Sequence, residues 1–522
     1  MTTMITFWHY RWENGRRVQH GEIFFTAICL MIILMFITRG MAGENDRARG
    51  GDFHYRPFSE AEIKAAIQKP LLLDDCIRIA LAKNINLKLA EGDLGKAEAT
   101  HSGSYGKFLP VFSVEGTKVN SLLEEPDSLS RFGEARFDNN TTVAGKAQLY
   151  LPTGATFELT RDFLREVQYP TGQPITKNQD LTYAINFTQP LLRGAGPKIG
   201  RSSFLSSGYD KQIQEKQLLN TKLQTVLAVK SAYYEALAKR ELIKVQEAAV
   251  RSDSNLIKAS EALMLAKMAT RRDVLSAEIR FADDRAALIK SQTDYQLALD
   301  DLKYIMGLPI EMPIELDSTG LSYAPVTLDE AALIRTALEN NPSIHSAELT
   351  IRRSQLQHSV AKNSVLPQLD LVASYSSNLQ TDLILNQHMG RTGGWQAKLN
   401  LSYSFLSRDA AASAENAQIA LSQQEDRLLD LQRQIVRNIR DIVRSVYTGA
   451  EELSAIKRGI EVAEEKLAFA TTMFNLGRAS NFDITDAQEF LLKAQNQYLS
   501  KLVDYHTQLA LLESLTGQPV TP

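Results

Sequence analysis

The sequence predicts a mainly α-helical chain with membrane β-strands, built by internal duplication. Three observations carry that class. Residues 201–265 contain no proline and only Gly208, and residues 409–476 contain no proline and only Gly449 and Gly459. A continuous helix over the first stretch would be roughly 100 Å long. Short segments of strict apolar–polar alternation lie between the helical runs. The chain also matches itself: LLLDDCIRIALAKNINL (71–87) resembles VTLDEAALIRTALENNPSI (326–344). The offset of 257 between Ala80 and Ala337 holds as far as Leu109-Pro110 against Leu366-Pro367. The later halves match at offset 210, with Asp273 against Asp483, Tyr295 against Tyr505, and GLPI (307–310) against GQPV (517–520).

The elements follow in order. Arg11, Arg16 and Arg17 precede the apolar run IFFTAICLMIILMFI (23–37), and Gly40 and Ala42 follow as small residues. This is the layout of a signal peptide, 1–42, cleaved after Ala42; an uncleaved anchor is the other reading. Residues 43–70 are an N-terminal extension. Repeat 1 spans 71–310, with a helix, strands within 108–190 and a long helical hairpin over 197–306. The Pro- and Gly-bearing stretch 311–325 is a linker. Repeat 2 spans 326–520, with a helix, strands within 367–406 and a hairpin over 408–516. Helices this long need a partner along their whole length, so they must bundle. Each ends where a glycine is followed two residues later by proline, a helix stop.

In the strand regions, Leu399, Leu401, Tyr403 and Phe405 alternate with Lys398, Asn400, Ser402 and Ser404. Tyr183, Ile185 and Phe187 alternate with Ala184, Asn186 and Thr188, and Leu369, Leu371, Ala373 and Tyr375 form a third apolar face. Period two fits a half-buried strand, and equally a membrane strand that is apolar outward and polar inward. No stretch after the leader is apolar over 18 residues, so any crossing by the mature chain must use strands closed into a barrel. One chain offers too few strands for closure, which predicts an oligomer sharing one barrel. AQLYLPTGATFELTRDF (147–163) reads as a further hairpin without a counterpart in repeat 2.

Composition excludes several classes. The net charge of −3 comes with no basic block for nucleic acid and no acidic tail. Two cysteines, Cys29 and Cys76, make no disulfide framework. GAGPKIG (194–200) has the wrong spacing for a dinucleotide loop. GPKIGRSS (196–203) is one residue short of a P-loop and has Arg201 where lysine is required. There is no His-Glu-x-x-His and no Cys-x-x-Cys, and His345 and His358 do not share a helical face. Asp74-Asp75 and Asp329-Glu330 open helices, where dipole stabilisation explains them. No enzyme activity, cofactor or metal is expected.

Taken in order, these motifs resemble the TolC family of bacterial outer-membrane efflux proteins. The resemblance rests on the paired LDD…ALAKN and LDEA…ALENNP openings, each followed by Leu-Pro at a strand start. It rests also on QPLLRGAG (189–196) at a strand-to-helix junction, and on the bends LAKMATRRDVLSA (265–277) and LGRASNFDITDA (476–487). It covers about 71–520. It implies a homotrimer with a twelve-stranded outer-membrane barrel, four strands from each chain, continued by a periplasmic α-helical tunnel. The implied partners are outer-membrane lipid, a periplasmic adaptor and an inner-membrane transporter of the RND, ABC or MFS type, in a drug-efflux or type I secretion system. The competing reading is a periplasmic coiled-coil adaptor without a pore. With the 147–163 hairpin, either the barrel is larger than twelve strands or the hairpin is an external extension; an extension continuous with the barrel wall is the expectation.

The bends hold the candidate site. Ser480-x-x-Asp483 and Thr270-x-x-Asp273 both have the pattern of a capping box, a structural role sufficient for either aspartate. Asp486 lies one turn beyond Asp483, and its counterpart in repeat 1 is Ser276, so the bend folds without an acid there. The resemblance implies that Gly477, Asp483 and Asp486 fall at a constricted periplasmic end lined by aspartate rings. The family's tip arginine falls at Ala479 here, displaced by one from Arg478. Lys267, Arg271, Arg272 and Arg478 are candidate gate or adaptor contacts.

Overall fold

Ser202–Leu265 and Arg408–Asn475 are each one uninterrupted helix, of 64 and 68 residues. The computed structural model describes residues 55–125, 134–170, 174–317, 321–405, 408–476 and 478–518. The predicted signal segment, Cys29 and Gly477 lie outside them. The N-terminal extension holds α1 Glu60–Ala66, and repeat 1 comprises α2 Leu73–Lys83, α3 Ile85–Tyr105, β1 Val111–Glu125, β2 Glu134–Tyr150, β3 Thr156–Pro170, β4 Thr176–Pro190, a helical turn at Pro197–Gly200, α4 Ser202–Leu265 and α5 Arg271–Met306. Repeat 2 comprises α6 Glu330–Asn340, α7 Pro342–Ser364, β5 Gln368–Asp382, β6 Gln387–Ser402, α8 Arg408–Asn475 and α9 Asn481–Thr516.

The duplication extends to single side chains. Asn84 caps α3 by accepting from the Leu87 N–H at 3.1 Å, while its Nδ2 donates to the Ile305 carbonyl at 2.7 Å. Asn341 accepts from the Ser343 N–H at 2.9 Å and donates to the Leu515 carbonyl at 3.0 Å. Each asparagine therefore ties the start of a medium helix to the end of a hairpin. Both hairpins end on a left-handed glycine, Gly307 and Gly517, at φ 70° and 68°. That conformation costs glycine nothing, which is why the helix stops there. The short helix α2 buries Cys76, Ile77, Ile79 and Ala80 against α4 and α5, as α6 packs on α8 and α9. Burial pushes the Cys76 thiol up to about 12, so it is inert.

The long helices form one layer. Toward the sheet the neighbours run α3, α4, α7, α8; toward the bends they run α5, α4, α9, α8. The core of repeat 2 gathers Ile435, Ile439, Ile442 and Val446 of α8 with Leu502, Tyr505 and Leu512 of α9. At the layer edges, apolar residues stay exposed at heptad spacing. Leu275, Ile279 and Ile289 of α5 lie on one seam, with Ile279 at 63 % and Ile289 at 59 %. Val462 and Phe469 of α8 are spaced by seven, at 54 % and 64 %.

The strands form one antiparallel meander in the order β1-β2-β3-β4-β5-β6. This corrects the four-strand expectation: the chain contributes six. The 147–163 hairpin forms the turn joining β2 and β3, and both strands pair over nearly their whole length with each other and with β1 and β4. Its two strands are therefore continuous with the sheet. The turn is docked by backbone: Gly196 N–H donates to the Thr153 carbonyl at 3.1 Å, and Leu151 N–H to the Ala155 carbonyl at 2.8 Å.

Register assigns the faces. One cross-strand row reads Phe112, Ala147, Leu159, Ile185, Tyr375, Trp395 across all six strands. On one side of it the next row holds Leu149, Phe157 and Phe187; on the other it holds Gly145, Arg161 and Tyr183, with the Arg161 guanidinium 5.4 Å from the Tyr183 ring, and then Val143, Phe163 and Leu181. Beyond them the face turns polar, at Lys118, Thr141, Arg165 and Gln179. The apolar band fits the roughly 9–11 residues a tilted strand needs to cross a bilayer, and the 15–17-residue strands overhang it. The overhang is why β2 is not legible as a whole strand in the sequence: its outer half, DNNTT, carries no apolar alternation.

Candidate functional site: the hairpin tips

Both bends start their second helix with the predicted capping box. Ser480 donates from its N–H and its hydroxyl to one oxygen of Asp483, at 2.7 and 2.8 Å. Thr270 does the same to Asp273, at 2.8 and 2.7 Å. The backbone N–H bond, then the hydroxyl bond, hold each carboxyl below the usual carboxylate range. Asp483 thus has its lone pairs directed into the helix start. Lys267 takes a left-handed backbone, φ 60°, at the position that matches Gly477. Holding a non-glycine residue there costs about 1–2 kcal/mol.

Asp486 is differently engaged. Lys466, on the other arm of the hairpin, reaches its carboxylate at 2.6 Å and lies 4.1 Å from the centre of the Phe490 ring. Lys466 is twenty residues from Asp486, so no local pattern signals the pair. Lys267, Arg271, Arg272 and Arg478 are all exposed at the tip. Arg271 has Glu278 at 3.8 Å. Asp483 and Asp486 therefore share a helix turn but not a partner.

The two bends are fastened to each other by residues that sequence reading missed. Asn481, 5 % exposed, donates from Nδ2 to Ser260 Oγ and to the Asp273 carbonyl, both at 2.8 Å. Leu256, Ala277, Phe474, Ile484 and Ala487 close around this clasp as an apolar core drawn from all four long helices. One layer further from the tip, Asp253 of α4 is fully buried against Asp284 of α5. Neither oxygen of Asp253 receives a hydrogen bond from another side chain, whereas Asp284 has Arg280 at 3.2 Å. Gln488 of α9, hydrogen-bonded to Ser252, completes the surround. Desolvation, then the neighbouring Asp284, push the Asp253 carboxyl up to about 7. Among the described residues no group of three or more His, Cys, Asp or Glu is placed to hold a metal. No described helix is long and apolar enough to cross a membrane.

Known proteins share this architecture. A family model described as outer membrane efflux protein matches residues 333–518. The outer membrane protein TolC of Vibrio cholerae is 23% identical over 430 residues, covering 79% of this chain and 95% of that protein. The proteases secretion protein PrtF of Dickeya chrysanthemi is 24% identical over 302 residues, 56% of this chain; the match spans 63% of PrtF, under two thirds of its length. Among solved structures, the outer membrane protein VceC from Vibrio cholerae superimposes with a TM-score of 0.63 at 16% identity, over 86% of this chain and 97% of that one. In its duplicated helical hairpins and its six-stranded antiparallel sheet the chain is similar to the TolC-type outer membrane efflux proteins, and the family model matches its second repeat.

Proposed function

We propose that three copies of this chain form the outer-membrane exit duct of a tripartite efflux pump or a type I secretion system. Cargo would pass by diffusion from a periplasmic adaptor and an inner-membrane transporter to the outside. The observation that carries the reading is the open edge of the chain. β1 and β6 each pair on one side only, and a strand edge left open in lipid exposes backbone groups that nothing satisfies. The edge helices repeat the message, because an exposed heptad seam on α5 and another on α8 call for a helix from a neighbouring copy. A pore-less adaptor has no use for a sheet whose outer rows are Phe, Leu, Tyr and Trp. The relatives' names cover both cargo classes: PrtF is named for protease secretion and TtgC of Pseudomonas putida for an efflux pump. In this reading the exposed cations Lys267, Arg271, Arg272 and Arg478 meet the adaptor or gate carboxylates.

The assembly test is direct. The double variant Ile279→Asp, Ile289→Asp is expected to lower the heat-modifiable trimer in outer-membrane fractions at least about tenfold, since charge in a heptad seam is strongly unfavourable. Unchanged trimer overturns the shared-barrel reading. At the tip, Asp486 and its copies would ring the periplasmic constriction, with Asp483 held to the wall by its cap. A ring of like charges attracts cations. In planar bilayers Asp486→Ala is expected to lower cation preference, and Lys466→Met, which removes the neutralising partner, to raise it. If both leave the reversal potential in a salt gradient where it was, the constriction lies elsewhere.

A further inference from the structure

We infer that the β2–β3 hairpin widens the shared barrel to eighteen strands and lines it with carboxylates. The outer half of the duct then admits broader cargo than a twelve-stranded barrel would, and it favours cationic over anionic solutes. The inference rests on the trimer proposed above. Repeat 2 supplies two strands, β5 and β6, between its Leu-Pro and its long helix. Repeat 1 supplies the matching pair, β1 and β4, with β2 and β3 inserted between them. Three sheets of six strands close at eighteen. Barrel diameter grows roughly linearly with strand number. With strands about 4.8 Å apart and tilted about 40°, twelve strands give a backbone diameter of about 24 Å and eighteen about 36 Å.

Two features bind the hairpin into the wall. The first is pairing: β2 meets β1 from Gln148 to Glu134, and β3 meets β4 from Thr156 to Gln168. The second is the docked turn. A β-carbon built on Gly154 would lie 2.3 Å from the Gly194 carbonyl oxygen, and one on Gly200 would lie 2.3 Å from the Pro152 carbonyl oxygen. The inserted turn and the strand-to-helix junction therefore fit backbone to backbone, a contact that an appendage would not need.

The face opposite the apolar rows is the lumen face. From the hairpin it receives Asp138, Asp162 and Glu166, and Asp180 of β4 stands opposite Leu164. Among the described side chains Lys146 is the basic residue of the hairpin on this face, and it is held by Glu158 at 2.6 Å. The described side chains of the inserted strands thus bring more carboxylates than cations to this face.

Thiol chemistry separates the possibilities, because Cys76 is buried and silent. In a Cys29→Ser background reconstituted in lipid nanodiscs, Leu164→Cys points into the lumen and Phe163→Cys into lipid. A water-soluble, positively charged methanethiosulfonate is expected to label Leu164→Cys at least about tenfold faster than Phe163→Cys. Equal rates overturn the hairpin's place in the wall. The ratio of rates for the cationic over the anionic reagent at Leu164→Cys is expected to exceed the ratio on a free small thiol severalfold. Equality overturns the anionic lining. Electron microscopy down the symmetry axis then reads the ring. A trimer about 36 Å across supports eighteen strands, and a trimer with a twelve-stranded ring about 24 Å across overturns the inference alone. An assembly that is not a trimer overturns the reading on which it rests.

Discussion

Replacing Gly200 by valine is expected to remove this protein from the outer membrane as an assembled trimer. A β-carbon at that position would meet the Pro152 carbonyl oxygen at 2.3 Å and the Gly154 nitrogen at 2.7 Å, and both are backbone atoms of the docked turn. Overpacking against side chains typically costs 1–3 kcal/mol. Here the neighbours are main chain on a turn already fixed by its own hydrogen bonds, so relief requires the turn to undock from the strand-to-helix junction. That undocking would free the inner end of β2 and β3 and the start of α4 together. The measurement is the amount of heat-modifiable trimer in outer-membrane fractions, expected to fall more than about tenfold. Gly95→Ala is the control, because no atom lies within 4 Å of a β-carbon there and alanine favours the helix. Normal assembly of Gly200→Val would show that the turn is not seated against the junction.

Replacing Asp253 by asparagine is expected to change how stability depends on pH. The folded state raises the Asp253 carboxyl to about 7, against an ordinary carboxylate in the unfolded chain. The folded form therefore holds the proton more tightly. The stabilisation is fully present below the unfolded value, near pH 4, and is lost as pH rises toward 7. The groups facing Asp253 are Ser252 on its own helix, Asp284 and Arg280 on α5, and Gln488 on α9. Asparagine fills the same volume and carries an amide that can donate to Asp284 at any pH. Between pH 4 and 8, the melting temperature of the wild type is expected to fall relative to that of Asp253→Asn, which gains at the alkaline end. Parallel curves for the two proteins would mean that no proton is shared between the buried acids.

The legible part of the molecule is its local part. Helix lengths, both capping boxes and the glycine stops at Gly307 and Gly517 are decided within a few residues, so short windows suffice to read them. The duplication made each such reading twice, and the family resemblance added the barrel and the trimer. The strand regions were legible only where lipid enforces alternation: LTYAINF and LNLSY declare themselves, while the outer halves of β2 and β6 do not. The expectation of four strands in each chain failed for that reason. Pairing along β2 depends on β1 and β3, not on its own composition.

At the tips, sequence separated the cap from the pore candidate, Asp483 from Asp486, because a cap is a four-residue pattern and repeat 1 carries it with Ser276 in the place of Asp486. It gave no sign of Lys466 beside Asp486, of Asn481 gripping Ser260 and Asp273, or of Asp253 against Asp284. Those partners come from different helices, up to 221 residues apart. The sequence by itself determined that this chain is a twice-built helical hairpin with strands apolar on one face, since periodicity and capping are properties of the local chain. Only the tertiary structure decided how many strands enter the sheet, which carboxylates are neutralised and how the two bends are clasped, because hydrogen-bond ladders, ion pairs and desolvation arise between segments that the fold alone brings together.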